Sequence, residues 1–123
     1  MTPPRPVLED HRIHPAIRER VAGWYAETIA EVQQAVATHP VVVVGMQQNP
    51  FVKKARRALD AAGVVHHDIL YGSYFSEWRR RNALKMWTGW PTLPMVFVKG
   101  TLVGGADDLQ ALIGSGELQR MLA

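Results

Sequence analysis

The stretch Trp90-Pro91-Thr92-Leu93-Pro94-Met95-Val96-Phe97-Val98-Lys99-Gly100-Thr101-Leu102-Val103-Gly104-Gly105-Ala106-Asp107 decides how this 123-residue chain folds. Met95 to Val98 and Thr101 to Val103 are short apolar, β-branched runs, and Lys99-Gly100 between them is a hairpin signal. Gly104-Gly105 ends the second run. Asp107 with Gln110 has the spacing of a capping box for a helix through Ile113, and Glu117 to Leu122 adds a last turn or two. Pro94 reads in two ways. A cis bond there would leave the N–H and C=O of Leu93 open to an extended peptide. A trans proline would simply begin an edge strand.

Upstream, Val41 to Val44 is a β-branched run bounded by Pro40 and Gly45, apolar on both faces as a strand covered by helices must be. Asn49-Pro50 predicts a helix start, with Asn as N-cap and Pro at the first helical position. Val52, Ala55, Leu59 and Ala62 form its buried stripe and Gly63 its stop, while Lys53, Lys54, Arg56 and Arg57 read as a solvated face. Val64 to Leu70 reads as a second strand, joined to the first by a right-handed parallel crossover. Ser76 caps a predicted helix to about Trp87, patterned by Trp78, Leu84 and Trp87. Before all this, Ile17, Val21, Trp24, Tyr25, Thr28, Ile29, Val32 and Val36 form one apolar stripe over residues 15–37, read as a single helix stopped by Pro40. Residues 1–14, with Pro3, Pro4 and Pro6, read as a flexible lead-in. The order helix, β-α-β, helix, hairpin, helix predicts an α/β fold with a four-stranded mixed sheet flanked by helices. This is the thioredoxin-type plan, in a single domain over 15–123.

Composition narrows the chemistry. Apolar residues make up 47% and charged ones 20%, a globular balance. Cysteine is absent, which excludes disulfides, thiolate metal sites and cysteine nucleophiles. Net charge is +3; residues 1–40 hold four Arg against five acids, and the remainder ten Lys/Arg against six. That surplus is too thin for a nucleic-acid face. With neither a signal-peptide core nor an 18-residue apolar run, the reading is a soluble cytoplasmic protein without membrane contact. His66-His67 point to opposite faces of a strand and His11 and His14 lie in the lead-in, so no metal site is assigned. Two helix starts remain as candidate ligand positions: the run Gly104-Gly105-Ala106-Asp107-Asp108, which reads either as an anion site or as a plain strand-to-helix turn capped by Asp107, and Asn49 at the C-terminal end of the first strand.

Val41 to Val44, Asn49-Pro50-Phe51-Val52, Trp90-Pro91-Thr92-Leu93-Pro94, Val98-Lys99-Gly100 and Gly104-Gly105-Ala106-Asp107 together resemble the glutaredoxins. The likeness is nearest to the monothiol branch, with its C-G-F-S, W-P-T-x-P and G-G-C-D strings, and covers residues 38–123. The resemblance puts Asn49 where the family has its nucleophilic cysteine, with Phe51 retained. Val52 takes the place of the second cysteine of dithiol members, and Ala106 that of the cysteine in G-G-C-D. A family lysine aligns near Met46 and is lost, and a small insertion falls within Tyr71 to Glu77. If the binding groove carries over, the Leu93 backbone, between Thr92 and Pro94, aligns the cysteinyl part of glutathione. The amides of Ala106 and Asp107, opened by Gly105, take the γ-glutamyl carboxylate, and Arg81 and Lys85 the glycyl carboxylate.

Thiol–disulfide exchange needs a thiolate, and Asn49 cannot supply one. The expectation is therefore a redox-inactive, non-catalytic binder of glutathione, an extended peptide or a protein partner, without an iron–sulfur cluster. Two alternatives stand beside it: an oxidoreductase that borrows a bound thiol, and a structural or regulatory adaptor working through the N-terminal helix and basic face.

Overall fold

A computed structural model describes residues 2–73 and 76–123. The elements, in chain order, are α1 (Pro15–Gly23), α2 (Ala26–Thr38), β1 (Val41–Gly45), α3 (Pro50–Ala61), β2 (His67–Leu70), α4 (Trp78–Thr88), β3 (Met95–Val98), β4 (Thr101–Gly104), α5 (Ala106–Ser115) and α6 (Glu117–Leu122). The sheet order is β2-β1-β3-β4. β1 runs parallel to β2 and antiparallel to β3, and β4 closes the hairpin. The mixed four-stranded sheet flanked by helices is the thioredoxin-type plan that the order of elements predicts.

Side chains alternate across a strand, and that divides the apolar residues into two layers. Val41, Val43, Val96 and Val98 face α3, α5 and α6, where Val52, Ala55, Leu59, Leu109 and Leu118 complete one core. Val42, Val44, Met95 and Phe97 face α2 and α4, packed by Val32, Tyr71 and Leu84. Because β1 is buried on both sides it reads as four consecutive valines. Gly45 at its end lies under α3: a Cβ there would come within 2.5 Å of the Val52 side chain.

Three elements differ from the sequence reading. The helix expected over 15–37 is two helices, broken where Tyr25 takes a left-handed conformation (φ 49°) and its ring meets Trp24 edge-on. Only α2 reaches the core, through Thr28, Val32 and Ala35, whereas α1 buries none of its residues. Nothing in the core therefore holds α1 in line with α2, and Gly23 at the break is a weak helix former. The strand expected from Val64 begins at His67, opposite Val42 near the start of β1, and Val65 is 89% exposed. Ser76 does not cap α4. Its hydroxyl accepts the Ser73 N–H at 3.1 Å, and the helix begins after Glu77. The insertion expected within Tyr71 to Glu77 falls partly on residues 74 and 75, outside the described residues. In the lead-in, Arg5 Nη2 donates to the Trp87 carbonyl at 2.9 Å.

Polar ties hold the layers in register. The Tyr71 hydroxyl donates to Glu31 Oε1 at 2.6 Å, and burial together with that carboxylate pushes its pKa up. Below α3, His66 sits between Asp60 (2.8 Å) and Asp68 (2.6 Å), and Arg56 closes the chain on Asp68 at 2.8 Å. Burial alone would lower the His66 pKa, but the hydrogen bonds and charges of the two aspartates outweigh it and raise it above 6.5. A group with a raised folded pKa adds stability below its unfolded pKa and loses it as pH rises through the folded one. The urea midpoint should therefore fall between about pH 6 and about pH 8. His66→Gln should flatten that slope; an equal slope in both proteins would assign the effect elsewhere.

Candidate functional site

The C-terminal end of β1, the start of β3 and the N-termini of α3 and α5 converge on one cleft of about 560 Å³, whose lining includes all ten residues singled out from the sequence. Asn49 caps α3: its Oδ1 accepts the N–H groups of Phe51 (2.9 Å) and Val52 (3.1 Å). The first-turn donors that a thiolate would attract are thus already held by a neutral amide oxygen. Asn49 is 9% exposed, while Phe51 stands open at the mouth.

Across the cleft, Thr92 and Leu93 lead into Pro94, and the Leu93–Pro94 peptide is cis. The Leu93 N–H and C=O make no hydrogen bond to any described residue, so both are open for pairing. The third wall is the start of α5. The Gly105 N–H donates to Asp108 Oδ2 at 2.9 Å, so Asp108, not Asp107, caps this helix. Asp107 points outward and pairs with Lys54 Nζ at 2.8 Å. With Gly105 extended, the side chain three residues on is the one that reaches back to its N–H, which moves the expected box two residues towards the N-terminus, from Asp107 and Gln110 to Gly105 and Asp108. The N–H groups of Ala106 and Asp107 are left without an acceptor among the described residues. Gly104 makes the turn possible: its φ is +115°, and a Cβ there would run into the Asp108 carboxyl.

The fourth wall is α4, which brings Arg81 and Lys85 in one turn apart. Their surroundings differ. Arg81 is 7% exposed, and its Nη1 donates to the carbonyls of Tyr71, at 2.9 Å, and Ser76. That guanidinium ties down both ends of the 71–76 segment as well as facing the cleft. Lys85 has no such commitment among the described residues. The three consecutive arginines point three ways: Arg80 pairs with Glu77 at 3.1 Å, and Arg79 lies over the Trp78 ring. Met46, where the resemblance places a lost lysine, is buried in the cleft wall.

Trp90, Pro91 and Asp108 also line the cleft, beyond the ten residues to which the sequence assigns a binding role. Trp90 and Pro91 open the same string that contains Thr92 and Pro94, so contiguity was the available signal. The Trp90 Nε1 is buried with no hydrogen-bond partner among the described residues. The cleft thus combines backbone donors at one helix start, an open peptide unit, and cations opposite. It has no side chain able to act as a sulfur or oxyanion nucleophile at the α3 start.

Comparisons with known proteins agree with this geometry. The glutaredoxin family model matches residues 41–103. A glutaredoxin-like protein of Dictyostelium discoideum is 44% identical over 98 residues, covering 80% of each chain. Monothiol glutaredoxin-5, mitochondrial, of Schizosaccharomyces pombe is 31% identical over 101 residues, 78% of this chain and 69% of its own. Among solved structures, oxidized glutaredoxin 2 of Chlamydomonas reinhardtii superposes with a TM-score of 0.67 at 33% identity, over 79% of this chain and 92% of that one. A buckwheat glutaredoxin–glutathione complex does so with a TM-score of 0.67 at 27% identity, over 79% and 88%. The chain belongs to the glutaredoxin family, among monothiol-type relatives, and the family's active-site cysteine is replaced in it.

Proposed function

We propose that this protein binds glutathione, or a glutathionyl or extended peptide, in the α3–α5 cleft and does not turn it over. The observation that carries the reading is Asn49: a buried N-cap amide stands at the nucleophile position, inside a cleft whose backbone donors remain open. The Leu93 peptide unit would pair with the cysteinyl backbone of the ligand. The free amides of Ala106 and Asp107, at a helix N-terminus, would receive the γ-glutamyl carboxylate. Lys85, with Arg81 behind it, would receive the glycyl carboxylate. The buckwheat relative whose structure contains glutathione supports this choice of ligand. Without a thiolate the donor set does not fit an iron–sulfur cluster, and none is proposed. No helix among the described residues is long and apolar enough to cross a membrane. A cytoplasmic site of action is part of the proposal, and cell fractionation decides it.

Calorimetric titration with reduced glutathione tests the reading. Saturable one-to-one heat with a Kd of about 1 mM or tighter is expected. Lys85→Ala should weaken it roughly fivefold, about 1 kcal/mol, by removing one charged contact. Ala106→Pro removes one proposed donor at a position where helices accept proline, behind an extended Gly105 that tolerates it. It should weaken binding while leaving the circular dichroism unchanged. No heat in the wild type, or equal affinity in both variants, would contradict the proposal.

A further inference from the structure

A second depression, of about 610 Å³, lies between α1 and α4, on a face of α4 that does not include Arg81 and Lys85. Ile17, Val21 and Trp24 form one side, and Trp78 and Met86 the other. Each of the five is more than one-third exposed. Single exposed apolar residues are ordinary, but five around one groove are the mark of an interaction site. Helix α1 contributes Ile17 and Val21, and its C-cap Trp24 is a third, at spacings of four and three, yet α1 buries nothing in the core. It also lies outside the residues matched by the family.

The rim decides what fits. Arg20 and Arg79 border the groove, and neither has a carboxylate partner among the described residues. The Arg79 guanidinium lies 5.1 Å from the centroid of the Trp78 ring. Tryptophan and arginine are among the residue types enriched at the energetic hot spots of protein interfaces. A second copy of the chain, docked about a twofold axis, would set the same arginine-rimmed patch against itself. Like charges across an interface disfavour that occupant, whereas carboxylates flanking an apolar stripe complement it. The nine residues of α1 span about 13 Å, enough to hold a little over two turns of a docked helix.

We propose that the α1–α4 groove docks an amphipathic helix of a protein partner, its apolar stripe at i, i+3, i+4 and i+7 and its flanks acidic. This surface is separate from the glutathione cleft, and its occupancy does not depend on that reading.

The probe is a fluorescein-labelled synthetic helix with leucines on that stripe and glutamates on the flanks, together with a twin carrying lysine for each glutamate. Anisotropy with the full chain should show binding of the glutamate helix with a Kd on the order of 10 µM and at least about tenfold weaker binding of the twin. The double variant Val21→Asp, Met86→Asp changes only exposed side chains and should weaken the glutamate helix at least about tenfold, with unchanged circular dichroism and an unchanged glutathione titration. Equal binding of the two helices, no effect of the double variant, or no binding up to about 1 mM would overturn the proposal. So would a concentration-dependent dimer in sedimentation velocity that the double variant abolishes, since that assigns the groove to a second copy.

Discussion

Asn49→Cys is expected to turn a protein without thiol chemistry into one that reduces a small disulfide at the expense of glutathione. The wild type should give no turnover above the uncatalysed rate, and the variant at least about 100-fold more, some 2.7 kcal/mol of barrier. The reason lies in what Asn49 already does. Its Oδ1 accepts two first-turn N–H groups of α3. A cysteine sulfur at the same position meets the same donors and the positive end of the helix, both of which favour the thiolate. The rate should therefore persist well below the pH at which an ordinary thiol ionises. Leu93, Pro94, Ala106 and Asp107 line the same cleft, and on the proposed reading they align the disulfide. A folded variant that binds glutathione but remains inactive would mean that the cleft positions its ligand away from residue 49.

Leu109→Ala is expected to cost about 2–5 kcal/mol, the largest effect on stability among single side chains near the cleft. Leu109 is fully buried one turn into α5, in the layer that holds Val41, Val43, Val96 and Leu118. Its N–H also closes the first α-helical bond on the Gly105 carbonyl. Emptying that position loosens the helix whose first turn presents the Ala106 and Asp107 amides, so glutathione affinity should fall along with the urea midpoint. Leu112→Ala, on the same helix but only partly buried, should cost less. Equal losses at the two positions would contradict the packing described.

The sheet was legible because its chemistry is concentrated. Four consecutive valines, a Lys-Gly turn and a proline at a strand start each admit few structures, and their order admits one topology. The cleft was legible because its walls are helix starts and a proline turn, which sequence marks by capping residues and glycines. What escaped reading depends on the third dimension. Arg81 and Lys85 share a helix face, but spacing cannot reveal that Arg81 is spent on the Tyr71 and Ser76 carbonyls. Asp107 and Asp108 are adjacent acids, and only the conformation at Gly105 selects which one caps. The stripe over 15–37 is periodic throughout, yet only its second half meets the sheet, so periodicity concealed both the break at Tyr25 and the open groove beside α1.

On the proposed reading, glutathione occupies the α3–α5 cleft of a protein that has no thiol there. Titrating reduced glutathione into ¹⁵N-labelled protein and following the amide resonances tests it most directly. Saturable shifts concentrated on Leu93, Gly105, Ala106 and Asp107, and on the Asn49 side-chain amide, are the predicted result. Shifts confined to other surfaces, or none at saturating ligand, would contradict it.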